Sequence, residues 1–120
     1  MSTTTARPGY LVRRRADAPT VLCPCGSSTR LHTRVDGLLA NFHITTIHDA
    51  ARHFHEHCTE IDYILEGSGR LDLNDDTIDV EPGTLVVIEP GTTHRLVSQG
   101  GVTTMVLGIP ALDPDDEHLV

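Results

Sequence analysis

Pro82-Gly83 and Pro90-Gly91 enclose an almost unbroken apolar run, Leu85-Val86-Val87-Ile88, and this short bracketed segment sets the terms for the whole chain. Proline fixes φ and has no amide proton, and glycine admits turn conformations. An apolar run held between two such pairs is long enough for a buried strand and too short for a helix. The same rhythm recurs along the sequence. Asp36-Gly37 predicts a hairpin turn between strands near 28–34 and 38–47. Gly67-Ser68-Gly69 separates a strand at 61–66 from one at 70–73, and Asn74-Asp75-Asp76 separates that strand from 77–80. Gly100-Gly101 predicts a turn before 102–109. Turn signals fall about every eight to ten residues and no helical stripe of useful length appears, so the chain reads as one all-β barrel or sandwich.

Composition agrees with strands. Phe42, Phe54, Tyr10 and Tyr63 are the only aromatics apart from histidine, and there is no Trp, so the core must rest on Val, Leu and Ile, residues that suit a pleated surface. The 120 residues amount to one domain. We divide them into an N-terminal arm, 1–18, which contains Arg13-Arg14-Arg15 and in which Tyr10-Leu11-Val12 offers a short strand; a β-domain, 19–112; and an acidic tail, 113–120, expected to be extended. The formal net charge of −8 disfavours non-specific nucleic-acid binding. No apolar run approaches the roughly eighteen residues of a membrane-spanning helix, and the N-terminus lacks the apolar stretch of a secretory signal, so a cytoplasmic protein is expected. In that compartment Cys23, Cys25 and Cys58 read as thiols.

The chemistry concentrates in two segments. The first is His53-Phe54-His55-Glu56-His57-Cys58-Thr59-Glu60-Ile61-Asp62; the second ends Glu89-Pro90-Gly91-Thr92-Thr93-His94. Side chains alternate across a strand, which places His53, His55 and His57 on one face. Glu60 has the wrong parity to continue that face, so a bend is expected between His57 and Glu60. Beyond it Glu60, Asp62 and Ile64 turn inward and Ile61, Tyr63 and Leu65 outward. The outward set is apolar and needs cover, for which a partner subunit or the arm is available. His94 follows a Pro-Gly turn that fixes where its ring enters the barrel. Imidazoles with a carboxylate suit several divalent transition metals, and three or four protein ligands leave a coordination position open.

These segments resemble the two motifs of the cupin superfamily. His53-x-His55, four residues, Glu60, six residues, Gly67 fits the first motif except for its leading Gly, whose place Ile47 takes. Gly83, five residues, Glu89-Pro90-Gly91, two residues, His94 fits the second, with Glu89 at the usual Pro and Ser98 at the usual Asn. Cys23-Pro24-Cys25-Gly26 and the segment Pro110 to Glu117 also resemble a subgroup of small single-domain cupins of unsettled activity. The resemblance implies a double-stranded β-helix, the cupin-type jelly-roll barrel. It implies His53, His55, Glu60 and His94 as ligands of one divalent transition metal per chain, which could be Fe, Mn, Zn, Ni or Cu. It also implies oxygenase, isomerase or lyase chemistry on a small organic molecule.

Around that set other readings stay open. Asp62 stands where related sequences usually place an aromatic; facing the cavity it would be a second carboxylate able to act as general base, and otherwise a solvent-facing Asp. His57 is either a rim histidine or an acid/base group at the pocket mouth, and a shifted register would make His55, His57 and Asp62 the ligands instead. Asp62 and His57 are therefore the candidate catalytic residues. Cys23 and Cys25 read as thiols around a tight turn, too close for an easy disulfide, with a soft-metal or reactive pair as the alternative. His32 and His43 fall on strands, and an inward His43 would line the cavity. A homodimer is expected, because open strand edges and the Ile61, Tyr63, Leu65 face need burial. A metal-dependent enzyme is weighed against a binding module that only holds a ligand, and against a purely structural dimerisation unit, which leaves the histidines unexplained.

Overall fold

The computed structural model describes residues 9–23, 26–37 and 39–120. Ten strands fold into one curled antiparallel sheet: β1 (Thr20–Cys23), β2 (Gly26–His32), β3 (Asn41–Asp49), β4 (His53–Phe54), β5 (Thr59–Glu66), β6 (Gly69–Leu73), β7 (Asp76–Val80), β8 (Leu85–Ile88), β9 (His94–Ile109) and β10 (His118–Leu119). The all-β, double-stranded β-helix reading holds. No helix among the described residues is long and apolar enough to cross a membrane.

One strand organises the rest. The 16-residue β9 pairs with β3, β4, β5 and β6. Its first part lies along β6, where Leu71 opposes Leu96, and its second lies between β3 and β5, where Val102 opposes Ile47 and Thr104 opposes Ile64. Ile64, Leu71, Val80, Leu96 and Val102 are buried together, with Ile47, Leu73 and Val86 packed against them. Each such aliphatic stabilises the fold by roughly 1.5–3 kcal/mol. Ile47, at the place of the usual motif glycine, is thus a packing residue.

The turn chemistry is mostly as the sequence predicts. Thr33 and Asp36 form a capping box on a single 3-10 turn, Arg34–Asp36, and Gly37 leaves it with φ +78°. Arg13 reaches back from the arm to grip both oxygens of Asp36, at 2.7 and 2.8 Å. Gly67 adopts φ +80° against the Gly101 carbonyl, where a Cβ would collide.

Four expectations need correction. Gly100-Gly101 is not a turn between strands. Both residues lie inside β9, where the β3 register shifts between Ile47 and Asp49. Ser98 holds this irregularity, donating to the Ser68 carbonyl at 2.6 Å and accepting from the Gly101 amide at 3.1 Å. Tyr10, Leu11 and Val12 are exposed and belong to no strand, since the arm's ordered contact comes from Arg13. Residues 113–120 fold back instead of trailing: a 3-10 turn, Pro114–Asp116, leads into β10, which pairs with β4. Finally, Cys23 is disulfide-bonded instead of being a thiol; Cys25 lies outside the described residues, and Cys58 is a free buried cysteine. On the outer sheet surface the predicted parity holds. Tyr63 is 41% exposed and opposes the exposed Leu85, and Ile61 opposes Val87.

Candidate metal centre

Three imidazoles meet because two strands bring them to one register. His53 on β4 pairs directly with His94 at the start of β9, and their rings lie 4.2 Å apart, centroid to centroid. His55 follows two residues later and is buried. The ligand-type nitrogens of all three lie within 4.8 Å of one another.

Main-chain carbonyls fix the tautomer of each ring. His53 Nδ1 donates to the Ala51 carbonyl at 2.7 Å, His55 Nδ1 to the Asp116 carbonyl at 2.9 Å, and His94 Nδ1 to the Thr92 carbonyl at 3.0 Å. A carbonyl can only accept, so Nδ1 carries the proton and Nε2 presents its lone pair in the neutral ring. The Nε2 of His94 is buried without a hydrogen-bond partner among the described residues. A buried polar atom left in this state is costly unless something else fills its need.

Glu60 completes the cluster from β5. Its carboxylate lies 3.6 Å from His55 Nε2 and 3.9 Å from His94 Nε2. Burial alone would raise its pKa, but hydrogen bonding to His55 and the His94 charge hold it at about 2. Asp62, two residues on and on the same face, goes the other way: burial and the Glu60 charge push its pKa well up. The two carboxyls are thus pushed apart, Glu60 toward the ionised form and Asp62 toward the protonated one. Burial opposes protonation of His55, but Glu60 and the Asp116 carbonyl outweigh it and raise its pKa, favouring a second proton on Nε2 facing Glu60 at the place a metal would take; burial lowers the pKa of His94. Three lone-pair nitrogens, one ionised carboxylate and an orphaned buried Nε2 fit a divalent transition metal.

Asp62 lines the cavity, and its Oδ1 has no partner among the described residues. His57 does not line it. β4 ends at Phe54, so the bend falls before His57 instead of after it, and the His57 side chain is 77% exposed beside Glu56. The alternative ligand set of His55, His57 and Asp62 fails with it.

The fold adds residues that strand parity could not supply. Asp116 accepts the main-chain N–H groups of Glu56 and His57 at 2.9 and 3.0 Å while its carbonyl holds His55, so the tail pins the ligand loop. Glu56, His57 and Asp116 also form a small outer group of ligand-type atoms, but both Asp116 oxygens are already occupied by those amides. Glu117 approaches His53 Nε2 at 3.9 Å and lines the mouth of a cavity of about 490 Å³. Its place in an acidic tail motif was the sole signal.

The Cupin domain family matches residues 42–110, more than half the chain, and the chain belongs to that family. It is 33% identical over 85 residues to an L-ectoine synthase from Hyphomonas neptunium, covering 67% of this chain but only 62% of that enzyme's length. It is 32% identical over 99 residues to an L-ectoine synthase from Nocardia farcinica, covering 79% of this chain and 76% of that enzyme. Among solved structures, a protein from Planctomyces limnophilus superposes with a TM-score of 0.85 at 25% identity, covering 93% of this chain and 98% of that one.

Proposed function

We propose that this cupin is a metal-dependent enzyme acting on a small organic molecule, with His53, His55, His94 and Glu60 as ligands of one divalent transition metal. The observation that carries the reading is the shared tautomer: three Nδ1–H groups are tied to carbonyls, and three Nε2 lone pairs converge beside an ionised carboxylate. A site that only needed histidines for packing would have no reason to orient all three alike. When bound, the metal would supply Lewis-acid polarisation of a substrate oxygen or electron exchange at its open position.

The chain's own residues do the rest. Glu60 stays ionised and balances the cationic centre. Asp62 lines the cavity with Oδ1 buried and unpartnered, and is the group to pass a proton to a bound molecule and take one back. Leu71, Leu96 and Val106 wall the inner cavity and exclude water. That relatives of this chain are named as L-ectoine synthases supports an enzyme over a passive binding module. The exposed Tyr63, Leu85 and Val87 strip supports a homodimer through this face.

Elemental analysis of protein purified without a nickel column tests the reading. Near-stoichiometric metal is expected in wild type and its loss in His53→Ala and His94→Ala. Unchanged metal content in those variants would sink the ligand assignment.

A further inference from the structure

The cavity that holds the histidines also carries a group of buried nitrogens with no hydrogen-bond partner among the described residues. Asn41 and His43 sit two residues apart on β3 and share its inward face, and Arg30 on β2 is the register partner of His43. All three line the outer cavity, and Arg30 and His43 also line the inner one beside His53, Glu60 and Asp62. Asn41 Nδ2, His43 Nε2 and Arg30 Nε are each buried without a hydrogen-bond partner among the described residues. His43 is only 9% exposed and Asn41 2%. The remaining Asn41 polar atom, Oδ1, accepts from the Leu112 amide at 2.7 Å, which fixes the amide's orientation and leaves Nδ2 free. Arg30 makes no ion pair among the described residues, although Glu60, Asp62 and Glu117 line the same space.

We propose that Asn41, His43 and Arg30 form a subsite for a carboxylate of the substrate, which anchors a small organic acid with its reacting end toward His53, His55 and His94. This deepens the functional reading above and rests on it for the reacting end. Two adjacent N–H donors, and beside them an imidazole nitrogen that can donate, none of them paired, call for a ligand that brings acceptor oxygens and negative charge. A planar guanidinium beside two further N–H donors matches the two oxygens of a carboxylate. Burial and the Arg30 charge keep His43 neutral, with a pKa near 4, so its Nε2 can carry a proton to donate without adding a second fixed charge. The acids lie elsewhere in the cavity, on β5 and in the tail, so the site is polarised and gives the ligand one orientation.

Calorimetric titration with succinate and with its neutral counterpart succinamide tests the proposal, on protein as purified and after metal depletion. Succinate is expected to bind at least tenfold tighter than succinamide in both forms. Arg30→Gln should lose at least tenfold of succinate affinity with metal content unchanged, and Arg30→Lys should fall between. In wild-type protein, succinate should shift the ring-nitrogen resonances of His43. Equal binding of the two compounds, an Arg30→Gln protein that binds like wild type, or shifts confined to His53, His55 and His94 would overturn the subsite. Should Arg30→Gln fail to fold, the His43 shifts and the succinate-to-succinamide ratio decide alone. A protein that binds succinate through Arg30 but carries no metal would instead leave the subsite standing and remove the metal reading.

Discussion

The imidazole of His55 donates its Nδ1 proton to the main-chain carbonyl of Asp116, 61 residues later in the chain, across 2.9 Å. One residue of the tail thus sets the tautomer of a proposed ligand while its carboxylate caps the two amides that follow that ligand.

Asp116→Ala should therefore weaken the site without touching a ligand. Two amides lose their acceptor, which costs about 1–3 kcal/mol of stability. Metal affinity should drop about 10–100-fold, as for other changes behind a ligand. A thermal melt and a competition titration against a chelator measure the two effects. Full affinity in the variant would show that the loop holds itself.

Stability should fall in acid because of His43. Burial lowers its folded pKa from an ordinary 6.5 to about 4. The unfolded chain therefore binds this proton first as pH drops, and folding loses stability between about pH 6.5 and 4, by up to about 3 kcal/mol for this group. Urea denaturation of metal-depleted protein at pH 4.5 and 7 should show a smaller difference in His43→Gln than in wild type. An identical difference would mean His43 does not contribute.

Two glycines should respond differently to alanine. Both have positive φ, but the Cβ of Gly67→Ala would run into the Gly101 carbonyl, whereas Gly37 has open space around it. Gly67→Ala should cost roughly 3 kcal/mol and Gly37→Ala about 1 kcal/mol, by the penalty for the left-handed region alone. Similar melting temperatures for the two variants would contradict the close approach of the Gly67 and Gly101 backbones.

Cys58 should be inert. It is buried under the Asn41 and Gly108 contact, and burial pushes its pKa up to about 11. At neutral pH almost no thiolate is present to react. Iodoacetamide should label Cys58 only under denaturing conditions, as mass spectrometry of the modified peptides would show. Rapid labelling of the native protein would mean the strand opens locally.

Strand parity and turn residues made the barrel readable, because both act between neighbours in sequence. The inward set Glu60, Asp62 and Ile64 follows from alternation alone, and the Pro90-Gly91 turn places His94. Alternation failed at His57 for a reason no local pattern contains. The strand ends at Phe54 because the Glu56 and His57 amides are taken by a carboxylate from the far end of the chain. The role of the tail was hidden in the same way, since it depends on β10 pairing with β4; the donor row sits on the β2–β3 hairpin, and what sequence could not show is that its side chains end buried without partners beside the cluster. Ser98, in place of the motif's usual Asn, uses its hydroxyl to hold the irregular stretch of β9.

The continuity of β9 has a consequence for assembly. His94 opens the strand against His53, and Gly108 near its other end is the register partner of Glu60. The proposed ligands are thus spaced by a single ruler that is threaded through four other strands. Pairings this distant in sequence form slowly and late. A fragment that stops short of Gly108 carries every proposed ligand but leaves Glu60 without its β9 partner, so the arrival of a metal would serve as a certificate that the barrel has closed.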